Sequence, residues 1–289
     1  MDLGYRVFNS IIRYISDSYT IFLLCYASLT YLVIYKVLIN YSINPLMSLC
    51  IYYCSYIGLM GCNRQLLAMF FCLISLKFII DRKFIYYILC LGVATLIHKT
   101  AIIFFPAYFI ARFQFSKSIV IIIVISSFIV GVSRLINHLP FVEYLALIDK
   151  VDSSSSDFSV YLGQEISGVS IVGSFKRLLF VSFALYSRDK INSKYYDMFL
   201  LFYIVGVCIY LMFNGSVLQL MAGRGAIYYN FFECLVIPVA IYNCKFFVNR
   251  KVIWFVFFLF YMYIMWRDMN SYLLLDGKDI FNPYKSVLF

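Results

Sequence analysis

Between Lys117 and Arg134 the chain carries no charged residue, only a run dominated by Ile and Val. Coiled as a helix, such a run is apolar on every face, so it needs an apolar solvent or a large protein interior around it. Comparable runs recur along the whole sequence. About 20 apolar residues of helix cross the roughly 30 Å of hydrocarbon in a bilayer, and by that measure the chain predicts about ten crossings. They fall at roughly 19–38, 43–61, 64–80, 84–98, 100–112, 118–134, 174–187, 195–213, 224–243 and 252–267. The fourth and fifth are short. They lie between polar punctuation at Asp81-Arg82-Lys83, His98-Lys99 and Arg112, which predicts tilted or partly re-entrant segments. The expected fold class is all-α: a polytopic helical integral membrane protein, one domain over residues 1–289.

Composition agrees. The chain is 64% hydrophobic and 13% charged, against about 45–50% and about 25% for a soluble domain. Mean hydropathy is +0.88. One core stops growing near this length, so a soluble fold has nowhere to bury the surplus. These numbers exclude a soluble enzyme, a nucleic-acid binder, a disordered chain and a secreted disulfide scaffold. A membrane β-barrel would show short alternating segments; the runs here are long and apolar on both faces. The nine cysteines form no C-x-x-C pair, and eight of them lie in or beside apolar runs, so they read as free, buried thiols. The polar start, with Asp2, Arg6, Arg13 and Asp17, is not a cleavable signal peptide.

The net charge of +10 gathers in short loops at Asp81 to Lys83, Arg112 to Lys117, Arg188 to Lys194 and Lys245 to Lys251. Short basic loops mark the cytoplasmic side. Residues 1–18, 135–173, 214–223 and 268–289, which hold most of the acids, then face outward. The segment 135–173 is the longest predicted loop. Its serine run, Ser153 to Ser156, reads as a mobile hinge.

No phosphate loop, dinucleotide fingerprint, zinc-helix motif or nucleophile elbow is present. His98 and His138 are too far apart in sequence to suggest a metal site, and neither metal nor cofactor is expected. What stands out are cations on the outer side, where topology does not require them: Arg64, His98-Lys99, Lys176-Arg177 and Arg224. At about 1.5 Å of rise per residue, the helices flanking Asp81 to Lys83 return Arg64 and His98 to nearly one depth. Arg224 sits between Gly223 and Gly225, where an opened helix start favours an anion. Simpler roles compete: Arg64 snorkelling to headgroups, His98 as a hydrogen-bonded interface residue, Arg224 as an anchor and Lys176-Arg177 as a span anchor. Glu233, deep in a predicted span, is either functional or paired with a neighbouring helix. The surplus of Tyr and Phe reads mainly as interfacial belt and packing.

Three blocks carry a resemblance: Gly61-Cys62-Asn63-Arg64-Gln65-Leu66-Leu67-Ala68, the turn Asp81-Arg82-Lys83, and Ala94-Thr95-Leu96-Ile97-His98-Lys99-Thr100-Ala101-Ile102. Together they resemble the EpsG family of Wzy-type O-antigen and exopolysaccharide polymerases. In this chain Ile97 replaces the family's Phe and Thr100 its Ser. Asp2-Leu3-Gly4-Tyr5 resembles the family's acidic-x-Gly-Tyr element. Arg224 with Tyr228, Phe231 and Phe232 resembles its later Arg-Tyr-Phe segment, and Asn282 to Ser286 its Pro-Tyr-rich end. Family members carry a span before the Gly-Tyr element, so a preceding span is expected to be missing from this sequence.

The resemblance implies a glycosyltransferase of the bacterial inner membrane. It would join undecaprenyl-diphosphate-linked oligosaccharide units on the periplasmic face, amid membrane lipids and with a chain-length regulator as a partner. No nucleic acid is expected. Catalysis would rest on Arg64 and Arg224 gripping the departing diphosphate and on His98 as base. Asp157 or Glu165 is an alternative base. Lys176, Arg177, Tyr161 and Glu165 would bind substrate, with Tyr161 stacking on sugar. The rival readings are a flippase for the same lipid-linked unit, which needs cations through the membrane depth, and a structural subunit of an export complex, which needs no outer cations.

Overall fold

The structure is a computed structural model describing residues 2–57, 63–138, 170–191, 193, 195–216, 218, 221–244 and 249–271. Among these residues it is all-helical. The α-helices are α1 (Leu3–Ile15), α2 (Tyr19–Tyr41), α3 (Pro45–Tyr56), α4 (Asn63–Ile80), α5 (Phe84–Ile97), α6 (Ala107–Ile110) and α7 (Lys117–Val132). After the long predicted loop come α8 (Ile171–Ser187), α9 (Tyr196–Phe213), α10 (Ile227–Asn230), α11 (Glu233–Asn243) and α12 (Arg250–Ser271). Each of the ten apolar intervals carries helix. Among the described residues three helices are long and apolar enough to cross a membrane: Tyr19–Tyr41, Tyr196–Phe213 and Arg250–Asn270. Of the predicted loop 135–173, residues 139–169 with the serine run lie outside the described residues; Leu135–His138 is a 3-10 helix and α8 already begins at Ile171.

Burial sorts these helices by place. In α9, 61% of the apolar window is buried, against 28% in α2 and 17% in α12, so α9 is the central post. Its neighbour α7 comes unusually close. A Cβ on Gly131 would stand 1.9 Å from the Leu211 carbonyl oxygen, so only glycine permits this approach. The outward faces remain apolar: Leu24 and Leu32 on α2, Ile122 and Ile129 on α7, and Val256 and Leu259 on α12 are all exposed. Bare apolar surface of this extent marks contact with lipid, because water would penalise it. The protein is a helical membrane protein.

Two results depart from the sequence reading. The start of the chain, read as a polar outer tail, forms α1, which buries Tyr5 and Ile12 and leaves an apolar ridge of Leu3, Val7, Ile11 and Ile15 exposed. The fifth apolar interval is mainly a 3-10 helix, Lys99–Phe104, followed by the single turn of α6. A 3-10 helix rises about 2.0 Å per residue, so this short segment reaches further than the same residues in an α-helix. It ends where Tyr108 donates to the Arg82 carbonyl at 3.0 Å, beside the turn that starts α5.

Irregular helices leave carbonyls unbonded, and water is not there to satisfy them. Tyrosine hydroxyls repair the breaks. Tyr87 donates to the Phe104 and Phe105 carbonyls at 2.6 and 3.0 Å, where the 3-10 helix ends. Tyr229 donates to Ile103 at 3.1 Å and Tyr56 to Ile227 at 3.1 Å. Part of the tyrosine surplus is thus internal hydrogen bonding rather than interfacial belt. The phenylalanines Phe104, Phe202 and Phe232 pack together in the core, with Phe202 and Phe232 rings 4.8 Å apart.

One buried charge pair links three helices. Lys176 of α8 reaches Glu233 of α11 at 2.9 Å, and Tyr261 of α12 donates to the same carboxylate oxygen at 2.7 Å. The Lys176 ammonium also lies over the Tyr261 and Phe180 rings. Glu233 is therefore paired with a neighbouring helix. Removing one member of a buried pair leaves a bare charge and costs about 3–5 kcal/mol, while replacing both by apolar residues is often neutral. Glu233→Leu is expected to lower the melting temperature of the detergent-solubilised protein sharply. Lys176→Met with Glu233→Leu is expected to recover most of the loss. A double variant no more stable than the single one would show that the pair does not join these helices.

Candidate functional site

The site forms where the ends of four chain segments meet. Helices α4 and α5 make a hairpin about the turn Asp81-Arg82-Lys83, and their far ends carry Arg64 and His98. Counting back from that turn at about 1.5 Å per residue, the two residues stand within about 3 Å of one level. Arg64 opens α4 and is exposed; Gln65 beside it is buried. The Gln65 amide donates to the Arg224 carbonyl at 2.6 Å. Arg224 lies in the π-helical turn Met221–Gly225, whose wider winding leaves such a carbonyl available.

Two more contacts close the ring. Thr100, two residues past His98, shares a 3.0 Å hydroxyl hydrogen bond with Tyr228, four past Arg224. Asp2, preceding α1, places its carboxylate 3.5 Å from the His98 Nδ1. That is ion-pair range but too long for a good hydrogen bond, and Nδ1 has no hydrogen-bond partner among the described residues. Gly4 is what lets Asp2 arrive. A Cβ there would meet the Leu96 carbonyl carbon and oxygen at 2.9 Å, so the α1 backbone rests directly on the end of α5. The His98 and Asp2 side chains are only 18% and 16% exposed.

The electrostatics follow from these neighbours. His98 titrates below the usual imidazole range. Burial is the main cause; Asp2 opposes it, and the positive charges of Arg64 and Arg224 add to the depression. The imidazole is therefore neutral near pH 7. A carboxylate on the Nδ1 side favours the tautomer protonated at Nδ1, which leaves Nε2 as the basic nitrogen. Among the described residues Arg64 has no carboxylate partner. The arrangement sets two arginines beside a neutral imidazole.

The structure brings Arg64, His98 and Arg224 together. It does not bring Lys176 into this group, because that ammonium is held by Glu233. Arg177 lies over the Tyr210 ring at 3.4 Å and donates to the Gly173 carbonyl at 3.1 Å. Tyr161, Glu165 and Asp157 lie outside the described residues. No group of three His, Cys, Asp or Glu side chains able to hold a metal occurs among the described residues. Sequence reading missed Asp2 and Gln65 as site residues. Both stood inside the blocks that carry the family resemblance, but no spacing rule pairs residues so far apart in the chain.

Gly4→Ala is expected to force α1 off α5 at a cost of about 1–3 kcal/mol, the usual range for overpacking. Asp2→Asn should leave stability closer to wild type yet lower the His98 pKa further, since Asp2 holds it up. With two histidines in the chain, an NMR titration of the imidazole signals resolves the change. An unmoved His98 titration in Asp2→Asn would show that the carboxylate does not act on the ring.

No curated protein and no solved structure matches the chain. A model of the EpsG family matches residues 1–286, nearly the full length, and that span includes every block gathered at the site. The chain belongs to the EpsG family, a family of Wzy-type polymerase-like membrane proteins.

Proposed function

We propose that this protein is a membrane glycosyltransferase that joins undecaprenyl-diphosphate-linked oligosaccharide units into an O-antigen or capsule-type polysaccharide on the periplasmic face of the inner membrane. The observation that carries this reading is the convergence of Arg64, Arg224 and a neutral His98 at one end of the bundle, on segments joined by Gln65 and Thr100. The growing chain is the donor. Its anomeric carbon loses the bond to the diphosphate and gains one to a hydroxyl oxygen of the incoming unit. Arg64 and Arg224 bind the departing diphosphate and stabilise its charge, commonly the largest catalytic contribution. His98 Nε2 accepts the hydroxyl proton, with Asp2 orienting the ring. Arg177, Tyr161 and Glu165 are assigned to binding the oligosaccharide. Lys176 is assigned to the helix-joining pair instead.

Arg64→Ala and Arg224→Ala are expected to abolish polymer while the protein remains folded and inserted. Arg64→Lys should restore only part, because an ammonium cannot reproduce the planar two-pronged grip. His98→Ala should be severe. In a reconstituted assay, wild-type activity should fall as pH drops through the depressed His98 pKa, and Asp2→Asn should move that acid limb to lower pH. A deletion strain should keep lipid A carrying one repeat unit and lose the ladder; loss of that single unit as well would point to a flippase. Wild-type ladders from both Arg64→Lys and His98→Ala at equal expression would reduce the cluster to a lipid anchor.

Orientation has its own test. Single cysteines at Lys83, Lys117, Lys190 or Arg250 are expected to resist an impermeant thiol reagent in intact cells, and cysteines at Ser155 or Lys278 to react. Labelling at Lys190 would reverse the assignment.

A further inference from the structure

At the opposite end of the bundle from Arg64 and His98, three basic turns enclose a cavity of about 770 Å³. Arg82, Arg112, Gln114 and Tyr195 line it, with the Arg188–Asp197 pair at one side. The rest of the wall is isoleucine, alanine, phenylalanine and methionine. We propose that this cavity binds the phosphate of an anionic phospholipid headgroup.

The first support is the conformation of Arg82. Its N–H bonds back to Ile79 and the Lys83 N–H to Phe78, the paired bonds that end a helix through a left-handed residue. Arg82 supplies that residue, with φ of 60°. Glycine takes this conformation freely and side-chain-bearing residues resist it. An arginine held there is a strained backbone on a residue that lines the cavity.

The second support is how charge is distributed around the cavity. Arg188 is fully engaged: two of its nitrogens donate to the Asp197 carboxylate at 2.9 and 3.0 Å and a third to the Phe115 carbonyl at 2.9 Å. Asp189 is committed to Lys117. Arg112 lies over the Tyr108 ring at 4.1 Å, and Tyr108 is the residue bonded to the Arg82 carbonyl, so the two arginines share one support. Among the described residues neither Arg82 nor Arg112 has a carboxylate partner. The cavity therefore holds two unneutralised guanidinium groups above an apolar wall. A phosphate diester with acyl chains matches both parts, and basic pockets at helix ends take such headgroups. A cavity of this size also falls in the range of small-molecule sites. Topology alone would ask for basic residues in these turns, but not for an arginine in a glycine conformation.

The test uses the purified full chain in detergent, titrated with phosphatidylglycerol or phosphatidylcholine, with bound lipid counted by native mass spectrometry. Soluble glycerol 3-phosphate serves as competitor. Wild type is expected to retain phosphatidylglycerol in preference to phosphatidylcholine. Arg112→Gln and Arg82→Gly should each weaken that retention about tenfold, the effect of losing one charge-assisted contact. Arg82→Gly should melt no lower than wild type, because glycine suits the turn, which separates loss of binding from loss of fold. Lys251→Gln, at the exposed start of α12, should bind as wild type. Equal retention of the two lipids, or undiminished phosphatidylglycerol on both arginine variants, would overturn the proposal. So would full displacement by an equal concentration of glycerol 3-phosphate, which would make the cavity a site for free phosphate.

Discussion

The bond from the Gln65 side chain to the Arg224 carbonyl, 2.6 Å long, is the contact on which the candidate site depends. In lipid every backbone polar group must find a partner within the protein, so a helix can widen or break only where a side chain makes good the lost bond. The π-helical turn at Met221–Gly225 is such a place. Gln65 repairs it, and in doing so fastens the start of α4 to that turn. Arg64 is the next residue in the chain and so comes to the same place with its charge unpaired by any described carboxylate. Neighbouring residues thus divide the work: one holds the backbone, the other faces the solvent side.

The same constraint explains features that hydropathy alone would leave scattered. The short fifth segment reaches the level of Arg82 because it stretches as a 3-10 helix, and the carbonyls this exposes are taken by Tyr87. Tyr56, Tyr108 and Tyr229 do the same at other ends and breaks. A tyrosine suits this task because its ring packs like phenylalanine while its hydroxyl reaches a carbonyl at the edge of the core.

Charges divide into two populations. Lys176 with Glu233 is neutralised inside the protein and joins segments distant in sequence, while Arg188 with Asp197, nine residues on, is neutralised at the surface. Arg64 at one end of the bundle, and Arg82 and Arg112 at the other, meet no described carboxylate. Desolvating a lone charge is costly, so these groups stay at the ends of helices where water, headgroups or a ligand can reach them. Both ends of the α4–α5 hairpin carry such open charge.

Much of this protein follows from its order of residues. Uninterrupted apolar runs dictated helices and a lipid surround, since runs this long, apolar on both faces, satisfy their backbone in lipid as helices and not as the short alternating strands of a barrel. The lengths on either side of Asp81 to Lys83 set Arg64 and His98 at one level, because helical rise per residue is constant. What tertiary packing alone decided is which distant groups meet. Asp2 reaches His98 because Gly4 allows α1 onto α5; Gln65 reaches Arg224 because a π turn leaves a carbonyl to take; and Lys176, which reads as a ligand group by sequence, turns to Glu233. Periodicity and composition are properties of single segments, whereas these pairings depend on how segments pack in three dimensions, where a missing Cβ or one unpaired carbonyl selects the partner.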